Sequence, residues 1–117
     1  MSTSNKKIVN KASTDPIEKL IYEHGLRITH VVALKKQDML IAFLNNSVTV
    51  PVKLSSFPLL KKANKTQLDE WKLISKGIGI EWPQLDEDIS LKGLIKELIL
   101  MNTLKFVKGE YSNSLAA

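Results

Sequence analysis

Apolar residues near the start of the chain follow the spacing of a helix. After Thr14 and Asp15, they recur at intervals of three and four residues, the spacing of one helix face, at Ile17, Leu20 and Ile21. Thr14 or Asp15 is suited to cap this helix, and Pro16 is suited to its first position. Gly25 is expected to end it, with His24 favouring the negative helix end.

The apolar pattern changes to that of strands at residue 28. Three segments, 28–34, 39–44 and 48–54, are rich in β-branched or apolar residues and are separated by short polar segments. In the third segment apolar residues alternate with polar ones, so one face is expected to be buried and the other wet. Pro51 cannot donate to a strand ladder, which predicts an edge strand.

A short helix and a second hairpin are predicted next. Thr66, with Asp69 three residues later, resembles a capping arrangement for a helix running to about Trp71. Residues 71–75 and 78–82 then form a candidate hairpin around Lys76 and Gly77, because glycine relieves the strain of a tight turn.

The last helix is predicted to start at Ser90, a favourable cap that follows three carboxylates. Its inward stripe is Leu91, Leu94, Ile95 and Leu98. Residues 99–101 are also apolar and widen the stripe beyond what one sheet face covers. Part of this helix is therefore expected to meet the first helix or a second subunit.

Together these elements predict a small α+β domain. It has an antiparallel sheet of about five strands, a three-strand meander plus a second hairpin, with short connecting helices, a C-terminal helix and an N-terminal helix before the sheet. Residues 1–14 are expected to be a flexible basic leader, residues 15–108 a single domain, and residues 109–117 a flexible tail.

Composition narrows the class of protein. The chain has 117 residues, 44% of them hydrophobic, which suits one domain with a packed core. It contains no cysteine, which excludes disulfides, thiol nucleophiles and cysteine-bound metals. A signal peptide and an apolar run long enough for a membrane span are both missing from the sequence, so a soluble cytoplasmic protein is expected.

Charge is unevenly distributed along the chain. The net charge is +5, but residues 77–91 carry four carboxylates and no cation: Glu81, Asp86, Glu87 and Asp88. The chain therefore has an acidic edge on an otherwise basic domain, and this asymmetry affects which partners it can bind more than it affects the fold.

No reactive centre is predicted. The acidic residues lack the alternating oxygen ligands and placed glycine of a calcium loop, and capping with solubility explains them. His24 and His30 have no ligand spacing, and no serine lies in a nucleophile motif. Catalytic residues, metal sites and cofactors are therefore all predicted to be absent, and the chain is predicted not to be an enzyme.

The lysines offer a different chemistry. They are scattered in sequence, and the only arginine is Arg27, so the pattern favours weak, salt-sensitive contact with phosphate over base-specific binding. The candidate nucleic-acid-binding residues are Lys35, Lys36, Lys61, Lys62 and Lys65. Trp71 and Trp82 are interpreted as core residues.

The central part of the chain resembles a known family. Leu59-Leu60-Lys-Lys-Ala63, Trp71-Lys-Leu-Ile, Gly77-Ile-Gly-Ile-Glu-Trp-Pro, Leu85-Asp-Glu-Asp-Ile-Ser90 and Gly93-Leu94 are similar to the bacterial domain-of-unknown-function family 2442, over roughly residues 28–95. The resemblance implies a small α+β domain without established activity. It also implies that some relatives are joined to a helix-turn-helix and others are encoded beside a short companion protein in toxin–antitoxin-like pairs. Members often have histidine at Glu81 and aspartate at Gln84, and this departure argues against a metal site here.

Two functional hypotheses follow. The first is a non-enzymatic interaction module, antitoxin-like, that binds a small protein or a second copy of itself. Its candidate partner-binding residues are Glu81, Asp86, Glu87, Asp88, Leu98, Ile99 and Met101. The second hypothesis is a nucleic-acid-associated regulator that uses the lysines of a basic face. No membrane partner is expected.

Overall fold

The structure, a computed structural model, describes residues 15–107. The predicted leader, residues 1–14, and the predicted tail, residues 109–117, lie outside the described residues. The described part of the chain begins with helix α1 (Pro16–Glu18), which continues as a π-helical turn (Lys19–Glu23). The Asp15 carboxylate accepts hydrogen bonds from the main-chain N–H of Ile17 and Glu18, so the predicted cap is confirmed.

Within residues 15–107, six strands form two antiparallel sheets of three strands each. The first sheet contains β1 (Ile28–Leu34), β2 (Met39–Leu44) and β3 (Thr49–Lys53), in that order. The second sheet contains β4 (Lys72–Ile74), β5 (Gly79–Trp82) and β6 (Glu87–Ser90), again in sequence order. The α+β class is thus confirmed, with six strands where the sequence predicted about five. The prediction that Pro51 lies in an edge strand is also correct, because β3 pairs only with β2.

Short helices join the two sheets. A 3-10 turn (Leu54–Ser56) leads to α2 (Pro58–Lys62) and α3 (Lys65–Leu68), and a second 3-10 turn (Pro83–Leu85) separates β5 from β6. The predicted cap of α3 was wrong: the cap is Asn64, whose side chain accepts from the Gln67 N–H, and not Thr66. The helix ends at Leu68, before the predicted end at Trp71.

The long helix α4 (Leu91–Val107) closes the domain. The Ser90 hydroxyl accepts from the Gly93 N–H at 2.9 Å, which confirms this residue as the cap. Leu91 and Leu94 are fully buried. Ile95, Leu98 and Met101 are partly buried and also pack against the core. The helix covers β3 and thereby closes one face of the first sheet.

Trp82 is at the centre of the core. Its side chain is fully buried, and its indole Nε1 donates a hydrogen bond to the Leu68 carbonyl at 3.0 Å. Burial of a large apolar ring without an unsatisfied N–H is favourable, and the contact fixes α3 against β5. The prediction of core packing is confirmed for Trp82. Trp71 is only partly buried, although it also packs against the core.

Candidate interaction surfaces

Two of the four acidic residues lie on an edge strand. Glu87 and Asp88 belong to β6, which pairs only with β5. Asp86 precedes the strand in a left-handed conformation, with φ of 51°. Charged side chains on a sheet edge discourage pairing with another strand, so this placement has a structural explanation of its own.

Glu81 is the only one of the four carboxylates on a neighbouring strand. It lies directly across from Asp88 on one side and from Lys72 on the other, so the three side chains share the outer face of the second sheet. Asp86 and Asp88 are exposed, whereas Glu81 and Glu87 are half-buried. The acidic edge is therefore accessible, and its binding of a basic partner remains a prediction.

The described residues, 15–107, contain no group of three or more acidic, histidine or cysteine side chains that could hold a metal ion. Neither histidine is part of such a group. His24 ends the π-helical turn. His30 lies on β1, where its ring meets Trp71 edge to face, with centroids 5.2 Å apart.

The distal half of α4 exposes large apolar side chains. Among the predicted partner-binding residues, Leu98 and Met101 pack against the core, and Ile99 is 53% exposed. Leu100, which lies in the segment 99–101 that widens the predicted stripe, and Leu104 are 52% and 46% exposed, and neither was among the predicted partner-binding residues. At 100° per residue, Leu100 and Leu104 fall on a different side of the helix from Leu98, and this spacing could have identified them from the sequence.

The lysines that are scattered in sequence come together in part. The turn between β1 and β2 and the start of α3 line a groove of about 500 Å³. Its lining residues are Ala33, Leu34, Lys35, Lys36, Gln37, Lys65 and Leu68. Three of the five candidate nucleic-acid-binding lysines therefore meet in one groove, which has an apolar floor.

Hydrogen bonds hold the two sides of this groove together. The Lys35 ammonium donates to the Ala63 carbonyl, which ties the β1–β2 turn to the α2–α3 junction. Lys61 lies 3.4 Å from Asp38 on the same turn. Bonds from the Ser55 hydroxyl and main chain, together with Lys61, hold the pKa of the Asp38 carboxyl below its usual range. These bonds connect the β1–β2 turn to the α2–α3 segment across the groove. Lys65 does not take part in them: its ammonium lies 2.9 Å from the carboxylate of Asp69, four residues later.

The first sheet has a second face, turned away from α4, and most of its side chains are apolar. Across the strands, Val32 pairs with Ile41, and Ile41 with Pro51. In the flanking rows, His30 pairs with Phe43 and Leu34 pairs with Met39. The buried partners Val31, Leu40, Ala42, Val50 and Val52 occupy the opposite face. We call the set that faces away from α4 the outer face. Its members are His30, Val32, Leu34, Met39, Ile41, Phe43 and Pro51, with the polar Thr49 opposite Phe43 and Lys53 opposite Met39 at its β3 edge.

None of the helices in the described part of the chain is both long and apolar enough to cross a membrane. The fold and surfaces define a small α+β scaffold that exposes apolar, acidic and basic surfaces. The chain belongs to the family described as "Protein of unknown function (DUF2442)", whose model matches residues 28–99, more than half of the chain. The resemblance found in the sequence is thereby confirmed.

Two solved structures share this fold. A crystal structure of a protein of unknown function from Rhodospirillum rubrum is 27% identical, with a TM-score of 0.54, and the match covers 61% of this chain and 86% of that one. A solution NMR structure of an uncharacterized protein from Chromobacterium violaceum is 23% identical, with a TM-score of 0.57, covering 75% of this chain and 80% of that one. No curated protein matches the chain.

Proposed function

We propose that this protein is a non-enzymatic cytoplasmic interaction module that associates with a second copy of itself through the distal half of α4. The exposed side chains of Ile99, Leu100 and Leu104 carry this proposal. We call these three residues the α4 patch. A buried helix side needs a stripe of apolar residues, and α4 already has one in Leu91, Leu94 and Leu98.

Leu100 and Leu104 lie on the opposite side of the helix from that stripe, and Ile99 lies on the flank of the helix between them and the stripe. At 100° per residue, Leu100 is rotated by about 200° from Leu98, so one side chain points to solvent when the other points to the core. Leu104 follows one turn later on the same side. A helix that is apolar on two opposite sides is typical of a helix packed between two bodies.

A second copy of the chain carries the same α4 patch, so two copies can cover each other's patch without another protein. Two identical helices related by a two-fold axis place each patch against the other and close the assembly. Three half-exposed side chains per copy fall well short of the roughly 800 Å² per partner that stable interfaces bury. The dimer is therefore expected to be weak and to dissociate on dilution.

The test compares two variants that introduce the same charge at different sides of α4. Leu100→Glu places a carboxylate in the α4 patch. Asn102→Glu places one about 160° away around the helix, on an exposed residue. Sedimentation equilibrium across a concentration series should show a reversible dimer for the wild type and for Asn102→Glu, and at least about a tenfold weaker dimer for Leu100→Glu.

A wild type that stays monomeric at the highest concentration would contradict self-association. If a small companion protein then co-purifies in equal amount from the native cell and is lost with Leu100→Glu, the α4 patch binds that protein and the module is antitoxin-like. Loss of association with both variants would show that the patch is not the contact surface.

A further inference from the structure

The outer face of the first sheet has no covering element among residues 15–107. An antiparallel sheet ordinarily packs one face on the core and presents polar side chains to water on the other. Here both faces of β2 are apolar, and Met39, Ile41 and Phe43 are only half-buried. Leu34 is 37% exposed. A half-buried apolar surface that faces away from the core is a candidate binding site.

One end of the outer face is aromatic. The ring of the exposed His30 lies between Phe43, at 6.0 Å and tilted by 50°, and Trp71, at 5.2 Å and 80°. Phe43 and Trp71 are each partly accessible. The cluster therefore offers π faces at the sheet surface, and flat, unpaired bases stack on such side chains whatever their sequence.

The other end of the outer face is basic. Leu34 belongs both to the outer face and to the groove lined by Lys35, Lys36 and Lys65. Segments 33–38 and 58–69 around this groove contain five lysines and two aspartates, a balance of +3. His30 and Leu34 are four positions apart along β1, which spaces the aromatic and basic ends by about 14 Å.

We propose that the outer face binds single-stranded nucleic acid, with bases stacked on His30, Phe43 and Trp71 and phosphates held by the lysines of the groove. The charge of the groove selects a polyanion over an apolar partner, and the aromatic end selects unpaired bases over a duplex, whose bases are already stacked. This activity is separate from the self-association through the α4 patch.

Binding is expected to be independent of sequence. Arginine is the residue that most often reads base edges, and Arg27 is the only one in the chain. Its Nη1 donates to the carbonyls of Ile21 and Leu26 at 2.6 and 2.7 Å, so it serves the fold. The lysines interact with phosphate as point charges and do not distinguish one base from another.

The experiment measures fluorescence anisotropy of labelled single strands of about 15 nucleotides, which is the length that one small binding domain covers. The charge variant is Lys36→Gln with Lys65→Gln, because neither side chain ties the two sides of the groove together. The matched control is Lys19→Gln with Lys96→Gln, two exposed lysines outside the groove lining. The ring variant is Phe43→Leu, which keeps an apolar side chain on β2.

The wild type and the control pair should bind with an affinity that falls as salt rises from about 50 to about 200 mM. The groove pair should show a logarithmic salt slope shallower by about 1.4, or about 0.7 for each lost phosphate contact. Phe43→Leu should weaken binding about tenfold with its salt slope unchanged, because stacking carries no counterions. Quenching of Trp71 fluorescence should accompany binding in the wild type.

Three results would overturn the proposal. One is no binding by the wild type at the lowest salt concentration. Another is an equal loss of affinity in the groove pair and the control pair, which would mean general attraction to a basic protein. The third is a dimer that Phe43→Leu dissociates, since the outer face would then be the contact between two copies.

Discussion

Gly77 shows how a single residue joins the two sheets. It lies at φ of +117°, and a side chain there would place Cβ at 2.3 Å from the Ile28 carbonyl oxygen. The Ile28 N–H donates to the Gly77 carbonyl at 2.8 Å across the same contact. The sequence indicated that a glycine is needed in the turn. It did not indicate the close approach of β1, because Ile28 and Gly77 are far apart in the chain.

Gly77→Ala should therefore destabilise the protein by about 3 kcal/mol or more, from backbone strain and the clash together. Gly25→Ala is the control, since that residue has φ of +72° but no atom lies within 4 Å of the place its Cβ would take. It should cost only about 1 kcal/mol. Urea denaturation measures both, and equal losses would show that the clash is relieved by a small backbone shift.

Among the elements, α3 shows where local pattern is ambiguous. Asn64 with Gln67 and Thr66 with Asp69 both fit a cap followed by an acceptor three residues later. The structure uses the first pair, with reciprocal bonds of 2.8 and 3.0 Å. This register buries Leu68 beneath Trp82. Tertiary packing, which one sequence does not display, makes the choice.

Two alanine substitutions separate these caps. Asn64→Ala removes the acceptor of the Gln67 N–H and should lower the free energy of unfolding by about 1 kcal/mol. Thr66→Ala removes an exposed hydroxyl and should change it by less than about 0.5 kcal/mol. Thermal unfolding followed by circular dichroism compares them; a larger loss from Thr66→Ala would favour the register that the sequence predicted.

Strand β2 carries a signal that is visible in the sequence. Residues 39–44 are apolar without interruption, which is the pattern of a strand covered on both faces. Alternation in the third strand, by contrast, indicates a single buried face. The outer face could have been predicted from β2, whereas its aromatic end needed the pairing of His30 with Phe43 and the approach of Trp71.

At the scale of the whole molecule, a charge cluster attaches α1 to the rest. Lys92, in the first turn of α4, lies 3.0 Å from Asp15 and 2.5 Å from Glu18. The hydrogen bond from Lys92 lowers the pKa of Asp15 below its ordinary 3.8, and the bonds to Glu18 and Asp15 raise the pKa of Lys92 above 10.5. Residues far apart in sequence thus form one attachment point, which the helix patterns alone did not indicate.

The stability that this cluster contributes should depend on pH at both extremes. Because the pKa of Asp15 is lowered, its contribution is present above pH 3.8 and is lost as the pH falls through the folded value. Because the pKa of Lys92 is raised, its contribution is present below pH 10.5 and is lost as the pH rises through the folded value. Unfolding of the wild type and Lys92→Met, measured across pH, should differ most between these limits.

The two unfolding curves should converge at both ends of the pH range. A constant difference at every pH would mean that the methionine changes packing and that the ion cluster is not responsible. Asn102→Gln is the control: it is a neutral change on an exposed residue of the same helix, and it should leave the free energy of unfolding nearly unchanged at every pH.

The family match ends at residue 99, while α4 runs on to Val107. His30, Phe43 and Lys65 fall within the matched segment, but Leu100 and Leu104 fall beyond it. A relative can therefore inherit the sheet surface with the scaffold and still differ in the helical extension. The proposed role of the sheet surface can thus be examined in other members of the family, whereas that of Leu100 and Leu104 has to be examined in this chain.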